Sequence, residues 1–419
     1  MNAQPGVTNL AFSPHKREHA RRSRIMRRAF TENSVKDSQP YIKSHVDELC
    51  RYLPEQYHIN AGTWSDPCDL SESLFWASVD ATTDLIFGES FNTLRDPTHR
   101  PFKDVLATVF RRFSLIHYYP HLFRPGVGKW NDIGTWILPN ISQKLQAIMM
   151  VGVTSTMKRI QDPPKGSENR KDALSYLING TDPETGTSFT PEDIISEALL
   201  LLMAGGDTIA AAMCCLFFYL TRYPEACQKA AQEVRSTFAT ADEIELGLKM
   251  GQCSYLHACI EEGLRMLGGP AKWRDAEQGG AMVCGEFVPE GLTAGISPYV
   301  VTRSENYFRD PFKFIPERWI PGGKFSDEEV KLAKAAHHAF LMGPRMCIAK
   351  QLAWDMMLLM TAQLLWDFDV RKAEGPLGKT GEGWKGRGRG LEREDEFQVF
   401  GSFTIRGNGP VVQFRKRQM

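Results

Sequence analysis

Apolar residues recur at helical spacing over 34–53, 70–87, 135–160, 191–221, 224–238, 256–267 and 348–366, and this periodicity predicts a mainly helical protein. One start is written plainly. Thr190-Pro191-Glu192-Asp193 offers an N-cap, a proline at the first helical position and early acids, ahead of the longest apolar run. Strand-like segments are short and late, over 282–288, 292–297, 397–405 and 410–414. Arg406-Gly407-Asn408-Gly409 lies between the last two and predicts a hairpin turn. Residues 161–171 and the glycine-rich stretch 371–395 read as loops. The expected architecture is one domain over residues 1–419, mainly α with small β-sheets.

The run Ile194–Leu220 is long and apolar enough to span a bilayer. Glu197, Asp207 and the pair Gly205-Gly206 interrupt it, and a bilayer interior disfavours a central Asp, so a helix buried in the protein core is expected instead. The 50 basic and 50 acidic residues cancel, which removes any global reason to expect a nucleic-acid partner. Nine scattered cysteines without a C-x-x-C pair argue against a disulfide framework or structural zinc and predict reduced thiols.

Two motifs are weak. Gly381-Glu382-Gly383-Trp384-Lys385-Gly386 has G-x-G-x-x-G spacing, but its flanks are glycine-rich and charged, with no strand before and no helix after. His337-His338 would point apart on a helix and has no third ligand nearby, so surface histidines are expected. The segment 340–353 is more specific. A loop with Gly343, Pro344 and Arg345 delivers Cys347 to the start of an apolar helix, where a thiolate is stabilised. Arg345 adds a cation for an anionic group, and Phe340 can shield the sulfur from water.

With its F-x-x-G-x-R-x-C pattern, this segment resembles the cytochrome P-450 superfamily of haem-thiolate monooxygenases. Three more motifs follow the family's order: Ala204-Gly205-Gly206-Asp207-Thr208 in the long helix, Glu262-Gly263-Leu264-Arg265, and Pro316-Glu317-Arg318-Trp319. Cys284-Gly285 before Val288-Pro289, and Phe314-Ile315 before the last motif, are most like the fungal secondary-metabolism branch.

The resemblance implies haem b with Cys347 as axial iron ligand, framed by Phe340, Gly343 and Arg345. It implies dioxygen in a groove at the paired glycines, with Asp207 and Thr208 relaying protons. Glu262, Arg265 and Arg318 become a buried ionic network that fixes the thiol loop. The substrate is a small lipophilic molecule, hydroxylated or epoxidised with electrons from a separate NADPH-dependent reductase. The pocket walls are expected at 203–208, 268–272 and 400–404.

The basic run 15–28 reads by itself as a solvated helix face, with Arg17, Arg21, Arg24 and Arg28 on one side. The resemblance places this helix beneath the haem, with the exposed arginines docking an acidic electron donor. His19 takes one propionate-binding position. Ser23 stands where an arginine is expected, so Arg22 or Arg24 is the candidate substitute, and Arg274 matches a second position. Ala349 replaces the glycine usual two residues after the cysteine, and 267–273 lacks the usual proline pair. The likeness starts near residue 15, which implies a P-450 fold lacking its N-terminal anchor, first sheet strands and pocket roof. Family members sit at the endoplasmic reticulum membrane, and membrane association here would depend on such an anchor. The competing expectation is a truncated, catalytically impaired haem-binding homologue.

Overall fold

The computed structural model describes residues 8–118, 141–161, 172–269, 272–388, 390–401 and 404–418. The expected loop at 161–171 falls almost wholly outside them. The long apolar run forms one unbroken helix, Pro191–Arg222, started by a reciprocal capping box between Thr190 and Asp193 with Pro191 in the first turn. It meets the length and hydropathy of a membrane span, yet 67% of its most apolar window is buried inside the fold. Helices Leu70–Phe87, Ser254–Leu267 and Ile141–Gln161 pack around it. Helix Lys350–Asp367 closes the core from the far side, against Glu32–Tyr57 and Pro224–Thr237.

Gly205 and Gly206, where the sequence led us to expect a groove, lie within the long, unbroken helix. They let a neighbour approach. A Cβ on Gly205 would lie 2.5 Å from Thr82 Cγ2, and one on Gly206 would lie 2.6 Å from Val79 Cγ2. The pair is a close-packing notch for Leu70–Phe87.

Helices Phe102–Tyr118 and Asp327–Ala336 escaped the periodicity reading, although Ser326 and Glu329 form a capping box before the second. The expected hairpin between 397–405 and 410–414 does not form. Val399–Phe400 pairs with Arg406–Gly407, so residues read as a turn are themselves paired. Val411–Lys416 instead lies between Phe368–Lys372 and Cys68–Asp69 in an antiparallel three-stranded sheet. Burial of Val411, Val412 and Phe414 in the core outweighs the local turn. Strands Lys272–Asp275 and Thr293–Ile296 pair, and Ala281–Val283 turns back on Glu286–Val288 through Cys284 and Gly285, both at positive φ.

Candidate active site

The stretch before helix Lys350–Asp367 is a tight loop. Leu341 and Gly343 sit at φ 64° and 73°, Gly343–Arg345 makes one 3-10 turn, and the Cys347 amide donates to the Phe340 carbonyl at 2.8 Å. Ile348 and Ala349 separate Cys347 from the first helical residue. This geometry carries Cys347, Phe340 and Ala349 to the wall of a cavity of about 330 Å³. Opposite runs the long helix, contributing Ala204, Gly205 and Thr208. No ionisable side chain other than the Cys347 thiol lines the cavity among the described residues, which suits apolar contents. None of the nine cysteines is in a disulfide.

Thr208 and Asp207 part company. The Thr208 hydroxyl faces the cavity and donates to the Ala204 carbonyl at 2.8 Å, one turn back. Asp207 is 3% exposed, does not line the cavity, and forms an ion pair at 2.6 Å with Arg406. Burial pushes its carboxyl above the usual range, and Arg406 only partly pulls it back. The structure gives no direct hydrogen bond between the two side chains. It assigns Asp207 a partner, Arg406, that the sequence did not mark.

Around the loop, cations converge. Burial lowers the His19 imidazole, and the charges of Arg345, Arg27 and Arg274 lower it further. Arg345 is lowered by burial and then by Arg274, and its guanidinium donates to the Ser13 carbonyl at 2.8 Å. No described acidic side chain pairs with His19, Arg274 or Arg345. A cluster of like charges beside an apolar cavity fits an anionic ligand edge. Arg27, absent from the sequence-level candidates, belongs to this group.

Arg22 and Arg24 do not join it. Arg22 is buried against Asp193, Glu197 at 2.8 Å and Glu18 at 2.6 Å. Arg24 bonds Asp182 at 2.6 Å and Glu184 at 3.0 Å. Each is neutralised by carboxylates far along the chain, so neither substitutes at the position of Ser23. Arg21 is likewise engaged by Glu18 and Asp193. The expected face of four exposed arginines thus reduces to Arg17 and Arg28, joined by Arg27.

The ionic network is assembled as its motifs imply. Glu262 accepts from Arg265 at 2.8 Å through both oxygens, from Arg318 at 2.9 Å, from the Trp319 indole at 2.9 Å and from the Ile315 amide at 2.9 Å. Arg265 also donates to the carbonyls of Thr302, Pro311 and Lys313. Burial drives the Glu262 carboxyl up, but Arg265 and Arg318 overcome it and hold it down to about 2. His337 is not a surface residue: its side chain is 8% exposed, pairs with Glu261 at 3.1 Å and packs on Trp319. Of the expected walls, Ala204, Gly205, Thr208, Gly268, Gly269 and Thr404 line the cavity, while Met203 and Phe400 line neighbouring ones. Residues 270, 271, 402 and 403 lie outside the described residues.

A profile of the cytochrome P-450 family matches residues 2–383. A cytochrome P-450 monooxygenase of Gibberella zeae is 30% identical over 417 residues, covering 99% of this chain and 93% of the relative. The monooxygenase apf7 of Gibberella fujikuroi is 33% identical over 382 residues, covering 89% and 69%. The crystal structure of a cytochrome P-450 haem domain superposes with a TM-score of 0.72 at 17% identity, over 97% of this chain and 79% of that one. Fold, cavity and sequence agree: the chain belongs to the cytochrome P-450 family of oxygen-incorporating oxidoreductases.

Proposed function

We propose that the protein is a haem-thiolate monooxygenase that hydroxylates or epoxidises a small lipophilic substrate, with electrons from an NADPH-dependent reductase. The observation that carries this reading is one apolar cavity that Cys347 and Thr208 both line. Bound haem b supplies an iron whose thiolate ligand donates electron density and favours O–O cleavage. Cys347 would be the ligand, and the hydrogen bond from its amide to the Phe340 carbonyl holds the residue at the cavity wall. His19, Arg274 and Arg345 would hold the haem carboxylates, which would relieve the repulsion among these cations.

Thr208 would hold a proton for oxygen activation at its Oγ on the cavity wall, while Asp207 is paired with Arg406. The aliphatic walls exclude bulk water and strengthen electrostatics inside. The exposed Arg17, Arg27 and Arg28 suit an acidic electron donor. The similarity to fungal monooxygenases supports a secondary-metabolite substrate.

The test is Cys347→Ser. The expected result is loss of the red-shifted Soret band of the reduced carbon monoxide complex. A band that survives the substitution overturns the ligand assignment.

A further inference from the structure

Beyond the central cavity, two more open in series toward the surface. One of about 210 Å³ shares Ala204, Thr208 and Thr404 with it, and carries Phe110 on its outer side. The next, about 390 Å³, shares Phe110 and Thr404 and is lined beyond them by Arg111, Ser114, Phe400 and Arg406. Thr404 lines all three. The path runs from apolar at Cys347 to cationic at its outer end.

Two observations mark that end as a place for an anion. Arg406 is ion-paired with Asp207 through Nε and donates from Nη1 to the Lys103 carbonyl at 3.4 Å, but its Nη2 is buried without a hydrogen-bond partner among the described residues. A buried guanidinium N–H left unbonded is unfavourable and calls for an acceptor. Arg111 is exposed and makes no ion pair with a described residue, and no acidic side chain lines this outer cavity among the described residues. Phe110 and Phe400 flank the cations with apolar surface.

We propose that Arg111 and Arg406 form a carboxylate-binding subsite that selects lipophilic carboxylic acids as substrates. The carboxylate sits between the two guanidinium groups, and the hydrocarbon part passes Phe110 and Thr404 toward Thr208. This rests on the monooxygenase reading and names its substrate class. Arg111 and Arg406 are specificity residues: they hold the end of the molecule that does not react.

The experiment uses the holoprotein and two labelled probes of equal length, dodecanoic acid and dodecanamide, in equilibrium dialysis at neutral pH. A charge-assisted hydrogen bond supplies about tenfold or more in affinity, so the acid should bind at least about tenfold more tightly than the amide. Arg111→Gln should erase most of that preference while leaving amide affinity unchanged, and Arg111→Lys should restore part of it. Equal binding of acid and amide by the unsubstituted protein overturns the subsite. So does an Arg111→Gln variant that weakens both probes alike. The carbon monoxide spectrum of the same samples separates the two readings. Absence of the acid preference in the unsubstituted protein, with the thiolate band intact, overturns the subsite alone. A missing band with the preference retained supports the subsite and overturns the haem-thiolate assignment alone.

Discussion

Trp319 packs its ring against His337, centroids 5.1 Å apart, while its indole N–H donates to Glu262 at 2.9 Å. His337 opens the segment that runs through Phe340 to Cys347, so this tilted ring contact is a mechanical link between the buried ionic network and the thiol loop. Trp319→Phe should keep a ring against His337 and lose the hydrogen bond to a charged group, at a cost of about 1.5–3 kcal/mol. Trp319→Ala should lose both and lower haem occupancy as well as stability. Urea denaturation and the haem-to-protein ratio of the two variants check this, and equal haem occupancy would show that the ring contact does not position the loop.

Removing a partner from the network itself is more severe. Arg318→Leu leaves Glu262 buried with one cation fewer, and breaking a buried ionic set of this kind costs about 3–5 kcal/mol. The variant should unfold at clearly lower denaturant with its cavity residues unaltered. A midpoint within error of the unsubstituted protein would mean that Arg265 alone balances Glu262.

Glu197 makes stability pH-dependent in a defined window. Burial pushes its carboxyl from an ordinary 4.5 up to about 6, against the opposing pull of Arg22 and the Leu10 amide. The folded state therefore holds a proton that the unfolded chain has released. Stability falls as pH rises from 4.5 to about 6 and is level above that, by about 2 kcal/mol in all. Glu197→Gln should flatten this slope in denaturation curves recorded between those values, and an unchanged slope would assign it to another group.

At the glycine notch two effects compete. Gly206→Ala gains about 1 kcal/mol in helix propensity. The new methyl meets Val79 Cγ2 at 2.6 Å and Val79 backbone atoms at 3.2 and 3.3 Å, which cannot swing aside. Overpacking costs about 1–3 kcal/mol, so the net effect is a lower melting temperature. Gly251→Ala meets nothing within 4 Å and should raise it slightly. A rise in both variants would show that the helices separate without penalty.

Thr208→Ala tests proton delivery. With Asp207 held by Arg406, Thr208 supplies the one hydroxyl that the long helix brings to the cavity among the described residues. The variant should bind haem normally, release more peroxide per NADPH and form less product. Coupling equal to that of the unsubstituted protein would place the proton path elsewhere.

Much of this site was legible before any coordinates. Thr190 and Pro191 announce the long helix, and the spacing of Glu262 with Arg265 puts both on one face. The loop before Lys350 announces Cys347 because its glycine, proline and cation are local features. What escaped the sequence is the choice of distant partners. Nothing near Arg24 marks Asp182, 158 positions away, nor does anything near Arg22 mark Glu197, 175 away. Arg406 looked like a turn residue and proved to be both a strand residue and the partner of Asp207. Such pairings are settled by how helices pack, and periodicity carries no record of that. Glu197 within an apolar run was the one available hint: a charge there needs a buried partner.

The strand Val411–Lys416 reaches back to the first third of the chain, where the Phe414 amide donates to Ser65 Oγ across 349 positions. Contacts of such separation form late, because a long loop must close before they reward the chain. During synthesis the early helices are made long before the strand that completes their sheet. Until Val411–Lys416 is made, Cys68–Asp69 and Phe368–Lys372 lack the strand that joins them, and an unpaired strand edge of that kind can associate with other chains. Loss of this one strand would thus remove nothing from the cavity wall, yet leave the sheet without its central member.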